Sequence, residues 1–385
     1  MRSITILGST GSIGTQALQV VDLHPERFAV TALSAHANSD LLFEQVRRYR
    51  PKMAALTGAS SCEVPADLSF CQFSFGPDAL EKLAHHAPAD DVLVSVSGMV
   101  GLRSVLAARK TGRRVLLANK EALVAGGQLV MSACPGTGQD ATLLPVDSEH
   151  SALFQCLHAA NGNPYRRLSL TASGGPFRQW SPERIAAATP REALKHPNWD
   201  MGAKISVDSA SMFNKALEII EARWLFDARP EQIDVLIHPQ SIVHSLVEFE
   251  DGAVIAQLGM PDMRVPIQYA MSYPQRLPSG VPALDLAQVG TLHFERPDPV
   301  RYPALDLAYR ALRAGGSAAC VLNAANEVAV AAFLKGALAF GGIARVVADT
   351  LQRVGTAPVH NLEAVEEADR QAREVAGTVV KSLRT

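Results

Sequence analysis

Two groups of residues in this chain have the types and spacing to do chemistry together. Asp147 and Glu149 stand two apart in Asp147-Ser148-Glu149-His150. On an extended backbone such residues point the same way. Two carboxylates so placed repel unless a cation lies between them. With no cysteine nearby, their hard oxygens suit Mg²⁺ or Mn²⁺; a solvated acidic loop is the competing reading. The second group is Asn214, Lys215 and Glu218, whose i,i+3 and i,i+4 spacing puts them on one helix face. That helix is expected to start near Asp208 or Ser209 and to run to about Phe226. Ser209 then sits at a helix start, where backbone N–H groups favour anions. Serine, asparagine and lysine together suit a phosphate, combining donors with one point charge. A surface Lys–Glu pair is the plainer alternative. His196 lies in a proline-containing loop beside Trp199 and Met201, ahead of Gly202, a composition suited to closing over a ligand.

A third feature precedes both. A β-branched run ends in Gly8-Ser9-Thr10-Gly11-Ser12-Ile13-Gly14, and a helical pattern follows. Glycine gives a tight turn its φ freedom and lets backbone approach a pyrophosphate. The helix start adds N–H groups aimed at the anion. A plain tight strand-to-helix turn is the alternative. After the second strand come Ser34-Ala35-His36-Ala37-Asn38, with no acid until Asp40. Nothing there repels a ribose 2′-phosphate, which favours NADPH, and no arginine or lysine grips one.

The elements that must hold these groups can be read from the hydrophobic pattern. Strands are expected at 4–7, 28–33, 53–56, 92–96, 114–118 and 142–145, and helices at 15–23, 40–50 and 102–110. This alternation reads as a parallel sheet covered on both faces, which binds ligands at the carboxyl ends of its strands. Further on, runs at 241–249 and 253–258 meet at Asp251-Gly252, a hairpin signal. The sheet they form either covers its own helices or pairs with a second subunit. Residues 276–302 are proline-rich and read as a connecting segment, followed by helices near 304–314, 318–335, 342–354 and 361–383.

Bulk properties bound the function. A length of 385 residues suggests two or three domains, and a formal charge of −2 gives no global attraction to nucleic acid or anionic lipid. A small anionic substrate therefore needs a local cationic pocket. Five scattered cysteines, Cys62, Cys71, Cys134, Cys156 and Cys320, offer no C-x-x-C pair for zinc or redox work and fit a reducing compartment. No run reaches the 18 apolar residues of a membrane span. A cytoplasmic protein is expected.

Taken in order, the motifs resemble the 1-deoxy-D-xylulose 5-phosphate reductoisomerase family along essentially the whole chain. The carriers are Gly8 to Gly14, Ala118-Asn119-Lys120-Glu121, Pro145 to His150, Ser173-Gly174-Gly175-Pro176-Phe177, His196-Pro197-Asn198-Trp199, Lys204 to Ser209 and Asn214 to Arg223. Ile237-His238-Pro239-Gln240-Ser241 and Asn323-Ala324-Ala325-Asn326-Glu327 also match.

The resemblance implies an α/β protein in three parts. These are a Rossmann-like NADPH domain at 1–147, a central α+β catalytic and dimerisation domain at 148–275 and, after the connecting segment 276–302, a C-terminal helical domain at 303–385. It implies a homodimer. It implies that Asp147, Glu149 and Glu218 hold one Mn²⁺, Mg²⁺ or Co²⁺, and that Lys120, Glu149 and His196 serve catalysis. Lys120, Ser148, Glu149, Ser173, His196, Ser209, Asn214, Lys215 and Glu218 would meet a small sugar phosphate. Thr10, Gly11, Ser12, Ile13, Asn38, Asn119, Glu121 and Gly202 would meet NADPH, and Met263 would line the site. The implied reaction is a retro-aldol/aldol rearrangement followed by hydride reduction, giving 2-C-methyl-D-erythritol 4-phosphate. Two departures stand out. His36-Ala37 replace the family's usual glycine and basic residue before Asn38, and Ala216 replaces its usual glycine, so that an extra methyl is expected to press on the pocket. The rival readings are a metal-dependent NAD(P) hydroxy-acid dehydrogenase and a non-enzymatic dinucleotide sensor.

Overall fold

The computed structural model of the chain describes residues 1–133, 142–195 and 201–383. The opening aliphatic run forms β1 (Arg2–Leu7), buried from Ile4 onward. The alternation then continues as α1 (Ser12–Leu23), β2 (Phe28–Ala35), α2 (Ser39–Tyr49), β3 (Met53–Leu56), β4 (Gln72–Phe75) and α3 (Ala79–His86). Next come β5 (Asp91–Val94), α4 (Val100–Lys110), β6 (Arg114–Leu117), α5 (Lys120–Ala133) and β7 (Leu143–Pro145). All seven strands lie in one sheet, in the order β4-β3-β2-β1-β5-β6-β7. Each described pairing is parallel. The chain starts at the centre, builds to one edge, then returns and builds to the other. The order reverses beside β1, and the carboxyl ends around that reversal are where such sheets take ligands.

The rest of the chain runs through α6 (Ser148–Ala159), β8 (Tyr165–Ala172), α7 (Pro182–Ala186), α8 (Pro190–Ala193), α9 (Ala203–Ala210) and α10 (Phe213–Leu225). Strands β9 (Ile233–Ile237), β10 (Val243–Phe249) and β11 (Val254–Leu258) join β8 in a second sheet, ordered β11-β10-β8-β9. The β10–β11 hairpin turns at Gly252, whose φ of +85° is what the Asp-Gly signal requires. Helices α11 (Arg264–Ser272), α12 (Leu286–Val289), α13 (Pro303–Ala314), α14 (Ala318–Leu334), α15 (Gly342–Val354) and α16 (Leu362–Ser382) complete the described chain.

These elements form two compact units. The first comprises Met1–Ala122, Val130–Ser151 and Asp262–Pro282; the second holds Leu123–Leu129, Ala152–Pro261 and the chain from Ala283 onward. In the first unit α11 packs on α1. Arg114 holds the buried Asp91 through bonds of 2.7 and 2.8 Å and also donates to Tyr273 O at 3.3 Å and Met271 O at 3.5 Å. The bidentate pair neutralises a carboxylate that would be costly to bury alone. In the second unit one apolar core joins Leu168 and Leu170 of β8, Val235 of β9, Phe213 and Ile220 of α10, and Leu307, Val330, Val347 and Val379 of the four long C-terminal helices. The second sheet therefore covers its own helices on one face, and the C-terminal helices share its core.

One expected element is divided. The helix read from 208 or 209 to 226 is two helices, α9 and α10, separated at Met212, whose φ of +62° lies in the left-handed region. Met212 and Phe213 are both buried. Packing holds a turn there that no glycine or proline announces.

Candidate active site

At the carboxyl end of β1, Gly8 has φ +86°, and a side chain there would meet Ser95 O at 2.8 Å. Helix α1 opens from Gly11, which offers no side-chain cap. The first N–H groups of α1 thus face outward from a turn of glycine, with Gly11 and Ser12 exposed and Thr10 and Ile13 half-buried. Ser9 is buried and fastens the turn, bonding Gln45 Oε1 at 2.6 Å and Ser34 O at 3.2 Å. Asn38 caps α2 through its Oδ1, 3.2 Å from Leu41 N. Exposed His36 bonds Thr57 Oγ1 at 3.0 Å. Asn119 is buried, and its carboxamide serves the protein itself. It donates to Val96 O at 2.9 Å, Gly98 O at 3.1 Å and Glu121 Oε2 at 2.8 Å, and accepts from Ala122 N at 2.9 Å. A side chain on Gly101 would strike it at 2.2 Å.

At the far end of the same sheet, Asp147 and Glu149 follow β7. Strand alternation does not orient them, because α6 begins at Ser148. Asp147 is the cap of that helix: its Oδ1 accepts from Glu149 N at 3.1 Å and His150 N at 3.2 Å, and its carbonyl accepts from Ser151 N at 2.8 Å. His150, fully buried, sets Nδ1 3.0 Å from the same Oδ1. Lys120 pairs with Asp147 Oδ2. Ser148 donates to Glu149 Oε2 at 2.5 Å. The first unit thus gathers two carboxylates, a lysine, a histidine and a serine around one helix start.

In the second unit the predicted face of α10 is present. Asn214 donates to Glu218 Oε1 at 2.6 Å, and buried Lys215 pairs with Glu218 Oε2. Glu218 is only 1% exposed, so this is a buried ion pair and not a solvated one. Ser209 does not open a helix as expected; it lies in the last turn of α9. It reaches the same region because Gly175 packs against that turn. A side chain on Gly175 would meet Ser209 O at 2.8 Å and Ala210 Cα at 3.0 Å. Ser173 Oγ accepts from Gly175 N at 3.2 Å, closing a tight loop at the end of β8. Ala216 is fully buried and belongs to the unit's apolar core.

Gly202 is the N-cap of α9 and Met263 that of α11. His196 and Trp199 lie outside the described residues. His238 is a fastener. Its ring bonds His293 O at 2.8 Å through Nδ1, accepts from Ile242 N at 3.1 Å through Nε2, and stacks on Phe294. Burial lowers its pKa, in keeping with a neutral imidazole that donates at one nitrogen and accepts at the other. The buried contact of Asp208 with Asn326, 118 positions apart, has no counterpart in the local sequence pattern. The other tie of Asp208 is local, since Lys204 stands four residues before Asp208 and bonds it at 2.6 Å.

Comparisons with known proteins agree along the whole chain. Residues 4–127 match the model of the 1-deoxy-D-xylulose 5-phosphate reductoisomerase family, and 143–226 match the model of its C-terminal domain. Residues 258–375 match a further DXP reductoisomerase C-terminal domain model. A 1-deoxy-D-xylulose 5-phosphate reductoisomerase from Ralstonia nicotianae is 53% identical over 384 residues, covering 98% of this chain and 97% of that protein. The chain belongs to that family. A member from Paraburkholderia xenovorans is 51% identical over 389 residues, 99% of this chain and 96% of its own. The Zymomonas mobilis reductoisomerase, solved in complex with NADPH, superposes with a TM-score of 0.90 at 41% identity, over 99% of each chain. A DOX-P reductoisomerase solved with NADPH, fosmidomycin and magnesium gives 0.91 at 38% identity over 100% of each chain. Membership in the family makes the chain an oxidoreductase that is also an isomerase, with an α/β fold. No helix among the described residues is long and apolar enough to cross a membrane.

Proposed function

We propose that this chain rearranges 1-deoxy-D-xylulose 5-phosphate and reduces it to 2-C-methyl-D-erythritol 4-phosphate, using NADPH and one divalent metal. The observation that carries this reading is family likeness along the full chain with the chemistry-bearing residues in place. The turn from Gly8 to Gly14 suits a dinucleotide because it opens α1 at exposed Gly11, with no side-chain cap on the first N–H groups. Asp147, Glu149 and Glu218 fit a hard cation, being oxygen donors that already attract the ammonium groups of Lys120 and Lys215. In our reading these three carboxylates hold Mn²⁺ or Mg²⁺, with Co²⁺ a further candidate. Bound there, the ion supplies Lewis-acid polarisation of substrate oxygens, worth several kcal/mol.

The protein's own residues do the rest. Ser173, Ser209 and Asn214 supply neutral donors to the phosphate, and Lys215 supplies the charge. That remote binding energy positions the reacting carbons. Lys120 and Ser148 face the reacting end, where the Lys120 ammonium donates to the oxygen that gains charge as one carbon–carbon bond breaks and another forms. The aldehyde so formed takes hydride from the nicotinamide and a proton at its oxygen. Thr10, Gly11, Ser12 and Ile13 hold the cofactor's pyrophosphate. Asn38, Asn119, Glu121 and Gly202 border it, and His196 belongs to the loop that closes over substrate. By function, the cofactor part is 1–147, the catalytic and dimerisation part 148–275 and the helical part 303–385, with 276–302 between the last two, although 262–282 packs with the first unit. The working form is a homodimer in the cytoplasm. The described cysteines are all free, in keeping with a reducing compartment. Edge strand β11 exposes Val254 and Ile255, the kind of apolar edge a second copy covers. Equilibrium sedimentation giving only a 41 kDa species at micromolar concentration would remove the dimer.

The deciding experiment adds 1-deoxy-D-xylulose 5-phosphate, NADPH and Mn²⁺, follows nicotinamide absorbance and identifies the product. Oxidation with a branched product supports the proposal. Oxidation with an unbranched product returns a simple dehydrogenase, and no turnover returns a sensor. The same assay with Ala37→Arg tests how the 2′-phosphate is held. Ala37 is exposed at the end of β2, so an arginine there is expected to raise the NADPH-to-NADH preference about tenfold. An unchanged ratio places the 2′-phosphate elsewhere.

A further inference from the structure

We propose that Asn326, on α14, is a positioning residue for the substrate-phosphate end of the site and acts through Asp208 on α9. The inference rests on the reading that Ser209, Asn214 and Lys215 take the phosphate. Asp208 is 2% exposed and Asn326 0%. Each carboxylate oxygen of Asp208 is held by a different group. Lys204 Nζ, one turn back on the same helix, donates to Oδ2 at 2.6 Å, and Asn326 Nδ2 donates to Oδ1 at 2.8 Å. The lysine neutralises the charge, so the asparagine is not needed for that. What the asparagine adds is a fixed point on another helix.

The fixed point sits beside the phosphate residues. Ser209 follows Asp208 directly, and Gly175 presses against Ser209 O and Ala210 Cα from the Ser173 loop. The left-handed turn at Met212 then hands the chain to α10, with Asn214 and Lys215 in its first turn. The last turn of α9 is therefore held by close packing on one side and by Asn326, through Asp208, on another. If α9 slides, Ser209 moves relative to Lys215, and misplacements of about 1 Å cost up to about a hundredfold in rate or binding.

The Oδ1 of Asn326 finds no hydrogen-bond donor among the described residues, a burden for a buried carboxamide that Asn323 on the same helix shares. Leucine, of similar volume, removes that burden together with the tie to Asp208. Asn323 supplies the control. It lies on the same helix, is equally buried, and donates to Glu327 on its own helix at 3.1 Å.

The test compares Asn326→Leu, Asn323→Leu and the exchange Asp208→Asn/Asn326→Asp, measuring thermal midpoint, kcat and the KM for each substrate. Asn326→Leu is expected to raise the KM for the sugar phosphate about tenfold, with the NADPH KM within twofold and kcat changed less than KM. The exchange re-forms the hydrogen bond with donor and acceptor reversed, and is expected to recover most of the loss. If the leucine variant does not fold, Asn326→Ser gives the same reading. An unchanged sugar-phosphate KM, an equal rise in Asn323→Leu, or parallel losses for both substrates overturns the proposal. Ser209→Ala separates it from the reading beneath it. If that variant keeps the full preference for phosphorylated over unphosphorylated deoxyxylulose, the phosphate assignment itself fails. If it loses the preference while Asn326→Leu does not, only the positioning role fails.

Discussion

Glu149→Gln is expected to cut metal-supported turnover by about a thousandfold while leaving NADPH affinity unchanged. Glu149 is half-buried in the first turn of α6, and its Oε2 accepts from Ser148 Oγ at 2.5 Å. Glutamine has the same shape and still offers an oxygen to that hydroxyl. Helix α6 is capped by Asp147 and not by Glu149, so the fold is retained. What goes is one of the three negative charges proposed to hold the cation. Metal-assisted polarisation is worth several kcal/mol, and each 1.36 kcal/mol is a factor of about ten in rate. A loss of about 4 kcal/mol gives the thousandfold figure. Turnover should be titrated with Mn²⁺ to saturation, and NADPH binding followed separately by nicotinamide fluorescence. Turnover within threefold of the parent at saturating Mn²⁺ would take Glu149 out of the metal site.

Gly14→Ala should weaken NADPH binding at least a hundredfold and lower the thermal midpoint, whereas Gly11→Ala should do little of either. A Cβ on Gly14 falls 2.3 Å from Gly8 O, 2.5 Å from Ser9 Cα and 2.8 Å from Ser9 C. All three are backbone atoms, so no side chain can swing aside. Nor can the turn retreat, since Ser9 N bonds Ser34 O at 2.8 Å and Ser9 Oγ is tied to Gln45. Overpacking of this kind costs about 1–3 kcal/mol or more. The distortion falls on the first N–H groups of α1, which are proposed to hold the pyrophosphate. At Gly11 the nearest atom is Gly8 O at 3.4 Å, ordinary contact. Paired titrations that find equal NADPH affinity in the two variants would show that the turn tolerates opening and does not shape the cofactor site.

The two glycines also show what a sequence yields and what it withholds. Their place between a β-branched run and a helix was readable because turn chemistry is local. The same holds for β1, β3 and the Gly252 hairpin, whose residues carry their own signal. Strand β4 carries little signal of its own. β4 has four residues, only Phe73 and Phe75 of them apolar, and it pairs only as the sheet's edge. The sequence marks Asp147 and Glu149 as a pair but suggests an extended backbone where α6 begins. A run of Leu143, Leu144 and Pro145 gives no sign that the next residue caps a helix. The break at Met212 is set by what its buried side chain packs against, and the Asn326–Asp208 contact joins residues that only tertiary structure brings together. Local propensity cannot report either. The division into units was hidden for the same reason, as nothing in the sequence near 262–282 says that it belongs with the first strands.

That last feature bears on how the molecule is made. The seven-stranded sheet is complete at Pro145, yet its unit still lacks α11, the helix that packs on α1, and the carbonyls of Met271 and Tyr273 that Arg114 grips. A ribosome adding about 5–20 residues per second needs on the order of ten seconds more to deliver them. A sheet that formed in that interval would leave uncovered the face of α1 that α11 packs on. A chain truncated between residues 151 and 262 would therefore hold all seven strands of the sheet but could not complete its first unit.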